Sequence, residues 1–177
     1  NCMFRGREMA SLLNNKTLNQ FLELALCKNC IVYAYQSSSL EPSSKNFGSR
    51  VHVDSPRFIE GYETNIGVIF PLDEFTEQNG ATYYLEGSHR YEQLPSESEF
   101  YSRAKRILCS AGDMIVFSGR LAHAAGENQT TQTRHALTIN LCRPYMRQRF
   151  NFPDMASEAD LQYLDDNGRR MLGMNVR

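Results

Sequence analysis

Long apolar runs are missing from this sequence, and so is any strong excess of charge. The most apolar stretch, residues 31–35, is far shorter than the roughly 18 to 20 residues that a membrane-spanning helix needs, so no membrane segment is expected. The formal net charge is −1 and the pI is near 6.5. Basic residues cluster only briefly, between Arg143 and Arg149. Because nucleic-acid-binding domains usually carry a basic patch, nucleic acid is not an expected partner.

Cysteine is sparse and odd in number, at Cys2, Cys27, Cys30, Cys109 and Cys142. Disulfide frameworks of secreted proteins usually need an even set. The sequence shown has no charged segment followed by an apolar one, which is the pattern of a secretory signal. Both absences predict a cytoplasmic protein. The chain opens on Asn rather than Met, so part of the N-terminal region is expected to be missing.

Length and composition predict a single domain. A chain of 177 residues with 41% hydrophobic residues can bury one substantial core but is short for two. We expect the core at about residues 30–145 and a helical tail at about 154–177. Apolar residues at near-helical spacing predict an amphipathic helix over 17–28. A capping-box pattern at 157–160 predicts a further helix start, with Gly168 as its end.

The middle of the chain reads as short strands separated by turns. β-Branched and aromatic residues bounded by turn residues predict strands at 31–36, 62–71, 81–86, 105–110, 113–118 and 134–143. The serine- and proline-rich stretch 37–49 predicts a loop. Asn79-Gly80 is a turn signal, so strands 62–71 and 81–86 are expected to form a hairpin. Several short strands in one domain predict an all-β core with flanking helices.

His52 and Asp54 are the most informative pair. On an extended segment, residues i and i+2 point to the same side, so both side chains would lie on one face. With His123 arriving from a distant strand, two imidazoles and one carboxylate would leave open metal positions, the ligand set of non-haem Fe(II) oxygenases. The same three groups could also hold zinc.

Arg134 follows His123 by eleven positions, and a guanidinium fork can grip the carboxylate of a dicarboxylic acid. By composition, a His-x-Asp arises with a chance of about one in six and an arginine at this offset with about one in twelve, so the set is a coincidence on the order of one per cent. Strand 134–143 alternates polar and apolar residues. We expect Arg134, Thr138 and Asn140 to face a cavity and His135 to point away.

An ordered series of segments extends well past these four residues. It comprises His52-Val-Asp54, Pro71-Leu-Asp-Glu-Phe-Thr-Glu-Gln-Asn79-Gly80, Glu86-Gly-Ser-His-Arg90, Ala111-Gly-Asp-Met-Ile-Val-Phe117, Gly119-Arg-Leu-Ala-His123 and Arg134. Over about residues 36–143 the sequence resembles the phytanoyl-CoA dioxygenase family of Fe(II)/2-oxoglutarate-dependent oxygenases. The resemblance implies a double-stranded β-helix, a jelly-roll or cupin-like fold.

The resemblance also implies roles for particular residues. His52, Asp54 and His123 would bind Fe(II), and Arg134 would bind the cosubstrate 2-oxoglutarate. By position, Gln36 and Asn65 would lie near the cosubstrate or the substrate. With O2, such a site would oxidise a small-molecule substrate and form succinate and CO2. The intact Asp54 favours hydroxylation, because family halogenases have a small residue at that position.

Other readings stay open at this stage. Arg120, three residues from His123, is the arginine most suited to bind an anionic substrate group, although solvated surface arginines are common. A second possibility for the whole chain is a jelly-roll ligand-binding protein or pseudoenzyme that keeps the metal site without turnover. The substrate and the oligomeric state are not encoded in any motif of the sequence.

Overall fold

The computed structural model describes residues 2–44 and 47–174. The strands of this part are β1 (Ile31–Leu40), β2 (Asn65–Pro71), β3 (Tyr83–Tyr84), β4 (Lys105–Arg106), β5 (Ile115–Ser118), β6 (His123–Ala124) and β7 (Arg134–Cys142). Its α-helices are α1 (Arg7–Ser11), α2 (Lys16–Ala25), α3 (Glu97–Arg103), α4 (Phe152–Met155), α5 (Glu158–Leu161) and α6 (Asp166–Met171). None of the helices in these ranges has the length and apolar composition that crossing a membrane requires.

The strands form two antiparallel sheets. One sheet has the order β1-β7-β2-β5 and the other the order β4-β3-β6. His52 pairs with His123 through two backbone hydrogen bonds of 3.0 Å, so the segment around His52 extends the smaller sheet beyond β6. Antiparallel sheets with flanking helices confirm the predicted all-β, double-stranded β-helix class.

Strand β7 lies between β1 and β2 and separates the core from a cavity. Its residues Arg134, Thr138 and Asn140 line the cavity, whereas Leu137 and Leu141 join the main hydrophobic core. Because successive side chains of a strand point to opposite faces, a single strand can serve both regions. The predicted orientation of these residues is confirmed, and His135 is exposed as expected.

The helices at the two ends of the chain pack against the core of the larger sheet, whereas α3 packs Phe100 into a separate cluster with Leu85, Ala122 and Ala124. In α2, Leu18 and Leu22 are spaced by one helical turn and both are buried; burial of each stabilises the fold by roughly 1.5 to 3 kcal/mol. The helix begins at Asn15, whose side chain accepts the Leu18 amide at 2.9 Å. Phe152 and Met171 from the C-terminal helices join the same core, so both ends of the chain support the sheet.

The predicted loop over 37–49 is wrong at its start, because β1 continues to Leu40. Ser37, Ser38 and Ser39 pair with residues 137, 136 and 135 of β7. Strand pairing uses backbone groups, so polar side chains on a solvent- or cavity-facing strand need not interrupt it. Residues 45 and 46 of the predicted loop lie outside the described residues.

The predicted hairpin between β2 and β3 is also wrong. Strand β2 pairs with β5 and β7, whereas β3 pairs with β4 and β6 in the other sheet. The intervening segment crosses between the sheets and ends at Gly80, whose φ is +79°. A Cβ at Gly80 would lie 2.8 Å from the Gly126 carbonyl oxygen. The turn signal was therefore real, but it marks a crossing between sheets.

The C-terminal prediction holds at its start and fails at its end. Ser157 and Asp160 form the expected capping box at α5. Gly168, however, lies inside α6, where its amide donates to the Asp165 side chain at 2.8 Å. A Cβ at Gly168 would lie 2.5 Å from the Asn14 side-chain oxygen. Close packing against the N-terminal segment explains this glycine.

Candidate active site

The three predicted metal ligands converge on one point. His52, Asp54 and His123 each offer a ligand atom, and these atoms all lie within 4.8 Å of one another. The Oδ1 atom of Asp54 is 3.8 Å from Nε2 of His52 and 3.9 Å from Nε2 of His123. Among residues 2–44 and 47–174, this is the one group of histidine, cysteine and acidic side chains with such spacing.

The backbone explains how residues so distant in sequence come together. His52 and His123 are direct partners in the antiparallel bridge, and their ring centroids lie 4.2 Å apart. Asp54 is held just after the bridge, because the amide of Ser55 donates to the Gly119 carbonyl at 2.8 Å. The extended His-x-Asp segment therefore presents its first and third side chains to the same side, as the spacing predicts.

Both imidazole rings are oriented by local backbone. Nδ1 of His52 lies 2.7 Å from the Arg50 carbonyl oxygen, and Nδ1 of His123 lies 2.9 Å from the Leu121 carbonyl oxygen. A carbonyl can only accept, so each Nδ1 carries a proton, and in the neutral form of either ring the lone pair is then on Nε2. This second-sphere arrangement is typical of metal-binding histidines.

Burial also favours the neutral ring of His123. Loss of solvation lowers the pKa of His123 below its usual range, nearby His52 acts in the same direction, and the carboxylate of Asp54 opposes both. The ring of Phe117 packs edge-on against His123 at a centroid distance of 5.0 Å. Neutral imidazole is the form that binds metal ions, so this environment suits a ligand.

These side chains open on a cavity of about 610 Å³ between the two sheets. Ligand pockets commonly have volumes of about 300 to 1,000 Å³. Polar side chains from β1 and β7 form one wall of this cavity, and they are Gln36, Ser38, Thr138 and Asn140. The wall is therefore polar enough to orient a small molecule.

Arg134 lies on the same cavity as a buried cation without an anionic partner. It is 5% exposed, and the one hydrogen bond of its guanidinium to the described residues runs from Nη1 to the Gly80 carbonyl at 2.7 Å. Its Nε–H has no acceptor, and within the described ranges no carboxylate comes within ion-pair distance. Its guanidinium carbon stacks 4.1 Å above the Phe75 ring.

Burial has a measurable electrostatic consequence at Arg134. Desolvation lowers the pKa of Arg134 to about 10, and Cys109 and Asp73 partly oppose this change. A buried cation without a counter-ion destabilises the folded state. A carboxylate in the cavity would remove that cost, so the geometry favours an anionic ligand at this end.

Comparison with known proteins identifies the family. A model of the phytanoyl-CoA dioxygenase (PhyH) family matches residues 4–136. The chain belongs to the phytanoyl-CoA dioxygenase family. This confirms the resemblance found in the motifs, and the matched range contains the whole His-Asp-His cluster and Arg134.

Individual relatives agree with this family. The chain is 29% identical over 131 residues to an uncharacterised protein of Mycobacterium tuberculosis, and the match covers 74% of this chain and 48% of that protein. It is 29% identical over 119 residues to Dioxygenase FUM3 of Gibberella moniliformis, and this match covers 64% of this chain and 37% of that protein. The chain thus spans about half or less of the length of these relatives.

A solved structure agrees with the fold. The crystal structure of AviO1 from Streptomyces viridochromogenes Tue57 matches with a TM-score of 0.63 and 22% identity, over 77% of this chain and 61% of that one. At this identity the likeness supports the architecture alone. The chain therefore has the fold seen in AviO1.

Gln36 and Asn65, the two polar residues expected near the cosubstrate, are placed differently. Gln36 lines the cavity, and its carbonyl accepts the Thr138 hydroxyl at 3.3 Å. Asn65 is buried and does not line the cavity; its Nδ2 donates to Oδ1 of Asn140 at 2.9 Å. A direct contact between Asn65 and cosubstrate therefore finds no support in this placement.

Arg120 connects two loops through its guanidinium. Arg120 is 8% exposed. Its guanidinium donates at 2.7 to 3.3 Å to four carbonyls in two loops, those of Ser55, Pro56, Tyr91 and Glu92. It is absent from the cavity lining. The geometry therefore favours a role in joining the loops, and the substrate contact predicted from its closeness to His123 in sequence finds no support.

The structure adds two residues to the site. Asn140 donates through Nδ2 to Oδ2 of Asp54 at 3.3 Å; the alternation of β7 predicted its direction but not this partner. Arg149 lines the cavity beside Tyr33, and its amide donates to the Tyr33 carbonyl at 2.9 Å. No sequence signal separated Arg149 from its neighbours Arg143 and Arg147, because its place depends on the path of the chain after β7.

Proposed function

We propose that this protein is an Fe(II)/2-oxoglutarate-dependent oxygenase that hydroxylates a small-molecule substrate and releases succinate and CO2. One observation carries the proposal. The same cavity contains the His52, Asp54 and His123 cluster and the buried, anion-free guanidinium of Arg134. A metal-binding protein without a cosubstrate has no use for the second feature.

The donor set fits a divalent iron ion. Two imidazoles held through Nδ1 and one carboxylate would occupy one face of the metal, and the cavity gives access to the rest. Bound there, Fe(II) would supply O2 activation coupled to oxidative decarboxylation of 2-oxoglutarate. Because Asp54 provides the third protein ligand, hydroxylation is favoured over halogenation.

Arg134 fits the cosubstrate. A fork of unpaired N–H groups in a low-dielectric pocket binds a carboxylate more strongly than the same groups would in water. The Gly80 carbonyl and the Phe75 ring fix the guanidinium before any ligand arrives. The protein thus holds the remote carboxylate of 2-oxoglutarate in one orientation relative to the metal ligands.

The cavity wall would orient the substrate. Gln36 and Ser38 on β1 offer hydrogen bonds along one side. Phe117 covers His123 on another side and limits the approach of water. Positioning the C–H bond to be oxidised, and excluding bulk water, are the contributions expected from the protein in a cofactor-dependent oxidation.

The test is iron-dependent succinate formation. Protein loaded with Fe(II) under anaerobic conditions is given 2-oxoglutarate, a broad panel of small molecules and then O2, and succinate and the oxidised product are quantified by mass spectrometry. His52→Ala and His123→Ala should abolish turnover and weaken Co(II) binding measured by calorimetry. His135→Ala is the matched control, because His135 is exposed on β7 outside the cavity, and it should retain both properties.

Two results would favour other functions. Tight metal binding without succinate formation for any panel member would indicate a jelly-roll ligand-binding protein or pseudoenzyme. Turnover that requires zinc and proceeds without 2-oxoglutarate would indicate a hydrolytic or other non-oxidative metalloenzyme, and would rule out the oxygenase.

A further inference from the structure

We infer that Asn140 and Asn65 form a hydrogen-bond relay that selects which oxygen of Asp54 binds the metal. The inference rests on the proposed function, because it assigns Asp54 to a metal centre. It goes further by giving two residues of the sheet a positioning role toward that centre. Neither residue would touch the metal ion itself.

The relay is continuous and crosses two neighbouring strands. Asn65, at the start of β2, donates from Nδ2 to Oδ1 of Asn140 on β7 at 2.9 Å. Asn140 donates from its own Nδ2 to Oδ2 of Asp54 at 3.3 Å. Asn140 lines the cavity, whereas Asn65 lies behind it and is 2% exposed. The relay thus connects the carboxylate to the interior of the larger sheet.

The direction of the relay is determined by the carboxylate. An ionised carboxylate can only accept hydrogen bonds, so Asn140 must turn its NH2 group toward Asp54 and its oxygen toward Asn65. Asn65 must then present its own NH2 group to Asn140. Each amide orientation follows from the one before it.

This direction separates the two oxygens of Asp54. Oδ2 is occupied by the Asn140 donor. Oδ1 faces the two histidines, at 3.8 Å from His52 Nε2 and 3.9 Å from His123 Nε2. The relay therefore assigns Oδ1 as the single ligand oxygen, and a carboxylate that binds through one oxygen leaves more metal positions open for cosubstrate and O2.

Asn65 also fixes the Asp54 segment through the backbone. Its carbonyl accepts the Gly119 amide at 2.8 Å, and the Gly119 carbonyl accepts the Ser55 amide at 2.8 Å. A Cβ at Gly119 would lie 2.8 Å from the Cβ of Asn65, so the two backbone segments approach as closely as glycine permits. One buried residue thus holds the side chain and the backbone of the Asp54 region.

The side-chain amide of Asn65 uses its donor end and leaves its acceptor end unpaired. Oδ1 of Asn65 is buried and has no hydrogen-bond partner, an arrangement that is rare because it costs free energy. Donation to Asn140 is the one interaction that its amide makes within the described residues.

The first test removes the donor to Asp54. Asn140→Leu has a similar volume but cannot donate, and second-sphere substitutions typically weaken metal binding about 10- to 100-fold. We expect a loss of Co(II) affinity in that range by calorimetry and a changed Co(II) absorption spectrum, since the carboxylate becomes free to bind through both oxygens. Asn140→Ser, which is too short to bridge the two partners, provides a second variant if Asn140→Leu does not fold.

Asn128→Leu is the matched control. Asn128 is fully buried and donates to the carbonyls of Leu40 and Gln132, away from Asp54. Its replacement should lower the melting temperature while leaving the Co(II) affinity and spectrum of the folded protein unchanged. A general loss of stability would affect both variants alike, whereas a positioning role affects the metal site only in Asn140→Leu.

A double-mutant cycle tests whether Asn65 acts through Asn140. Asn65→Leu alone should weaken Co(II) binding several-fold, because Asn140 loses the partner that fixes its amide. In an Asn140→Leu background the same change should have no further effect on affinity, since the relay is already broken. Additive effects would overturn the relay and leave two independent structural residues.

The outcomes separate this inference from the proposed function. Wild-type affinity and spectrum in folded Asn140→Leu would overturn the relay and leave the oxygenase proposal intact. Failure of the wild-type protein to bind Co(II) or Fe(II) would overturn both. Normal metal binding without any succinate formation would reject the oxygenase proposal. The double-mutant cycle of Asn65 and Asn140 would then still test the relay.

Discussion

Two buried arginines, Arg120 and Arg134, have different environments. Arg120 is 8% exposed and donates to four backbone carbonyls. Arg134 is 5% exposed and donates to one. Their burial is nearly equal, so burial does not distinguish them. What differs is the number of donors that the protein itself has used.

This difference separates a structural cation from a ligand-binding one. Arg120 uses both of its Nη groups on the loops at residues 55–56 and 91–92, whereas Arg134 uses Nη1 on one carbonyl. Each keeps an Nε–H without an acceptor, but of the two only Arg134 opens on the cavity. Because a buried charged donor without a partner is costly, Arg134 is expected to gain its partner from a bound anion. Closeness to the metal ligands in sequence would have selected Arg120 instead.

The largest effect on stability is expected at Arg120. Among the described hydrogen bonds, its guanidinium is the sole donor to the carbonyls of Ser55, Pro56, Tyr91 and Glu92. Arg120→Ala should therefore lower the free energy of unfolding by about 3 kcal/mol, measured by urea denaturation. Arg147→Ala, at an exposed position, should change it by less than about 0.5 kcal/mol. Equal stabilities of the two variants would show that the loops do not depend on Arg120.

Arg134 should show the reverse behaviour. Arg134→Leu should weaken 2-oxoglutarate binding about 100-fold, since two charge-assisted hydrogen bonds to a carboxylate are lost. The free energy of unfolding should change by no more than about 1 kcal/mol, because the Gly80 carbonyl keeps the Gly126 amide at 3.2 Å and a desolvated charge is removed. Anaerobic calorimetry with Fe(II)-loaded protein measures the affinity.

Arg134→Lys tests the geometry of the interaction at constant charge. It should recover only part of the affinity, since an ammonium cannot form two parallel hydrogen bonds to a carboxylate. Full recovery would mean that charge alone suffices. Wild-type affinity in Arg134→Leu, or a large loss of stability, would contradict the distinction between the two arginines.

The sequence was sufficient for the parts of the site that follow from short-range geometry. The i, i+2 spacing of His52 and Asp54 and the alternation of β7 both describe single strands, and the structure agrees with them. The partner of His52 across the bridge could not be predicted from spacing, because nothing in either segment specifies its register. The direction of Arg120 depends on the turn between β5 and β6, where no simple period applies.

The fold was predictable at the level of class and less so at the level of pairing. The serines of β1 suggested a loop because their side chains are polar, yet their backbone pairs with β7. The link between β2 and β3 suggested a hairpin because it ends in the turn signal Asn79-Gly80, whereas the two strands belong to different sheets. Gly168 suggested a helix end, but its small size serves packing. In each case long-range contacts override a local signal.

Arg149 is a third arginine, and its replacement is expected to have the smallest effect of the three substitutions. It is exposed at the cavity beside Tyr33, the residue at which the pairing of β1 with β7 is irregular, and β-bulges often redirect a side chain near an active site. An exposed charge is screened by water and salt. Arg149→Ala should therefore leave 2-oxoglutarate affinity and stability unchanged.

The effect of Arg149→Ala should be confined to the substrate. For an anionic substrate from the panel, we expect KM to rise about 3- to 10-fold at low ionic strength and less in high salt, because screening already weakens the wild-type contact. Arg147→Ala should leave KM unchanged under both conditions. A loss of 2-oxoglutarate affinity in Arg149→Ala would instead mean that both arginines hold the cosubstrate, and the cavity would then have no separate cationic end for substrate.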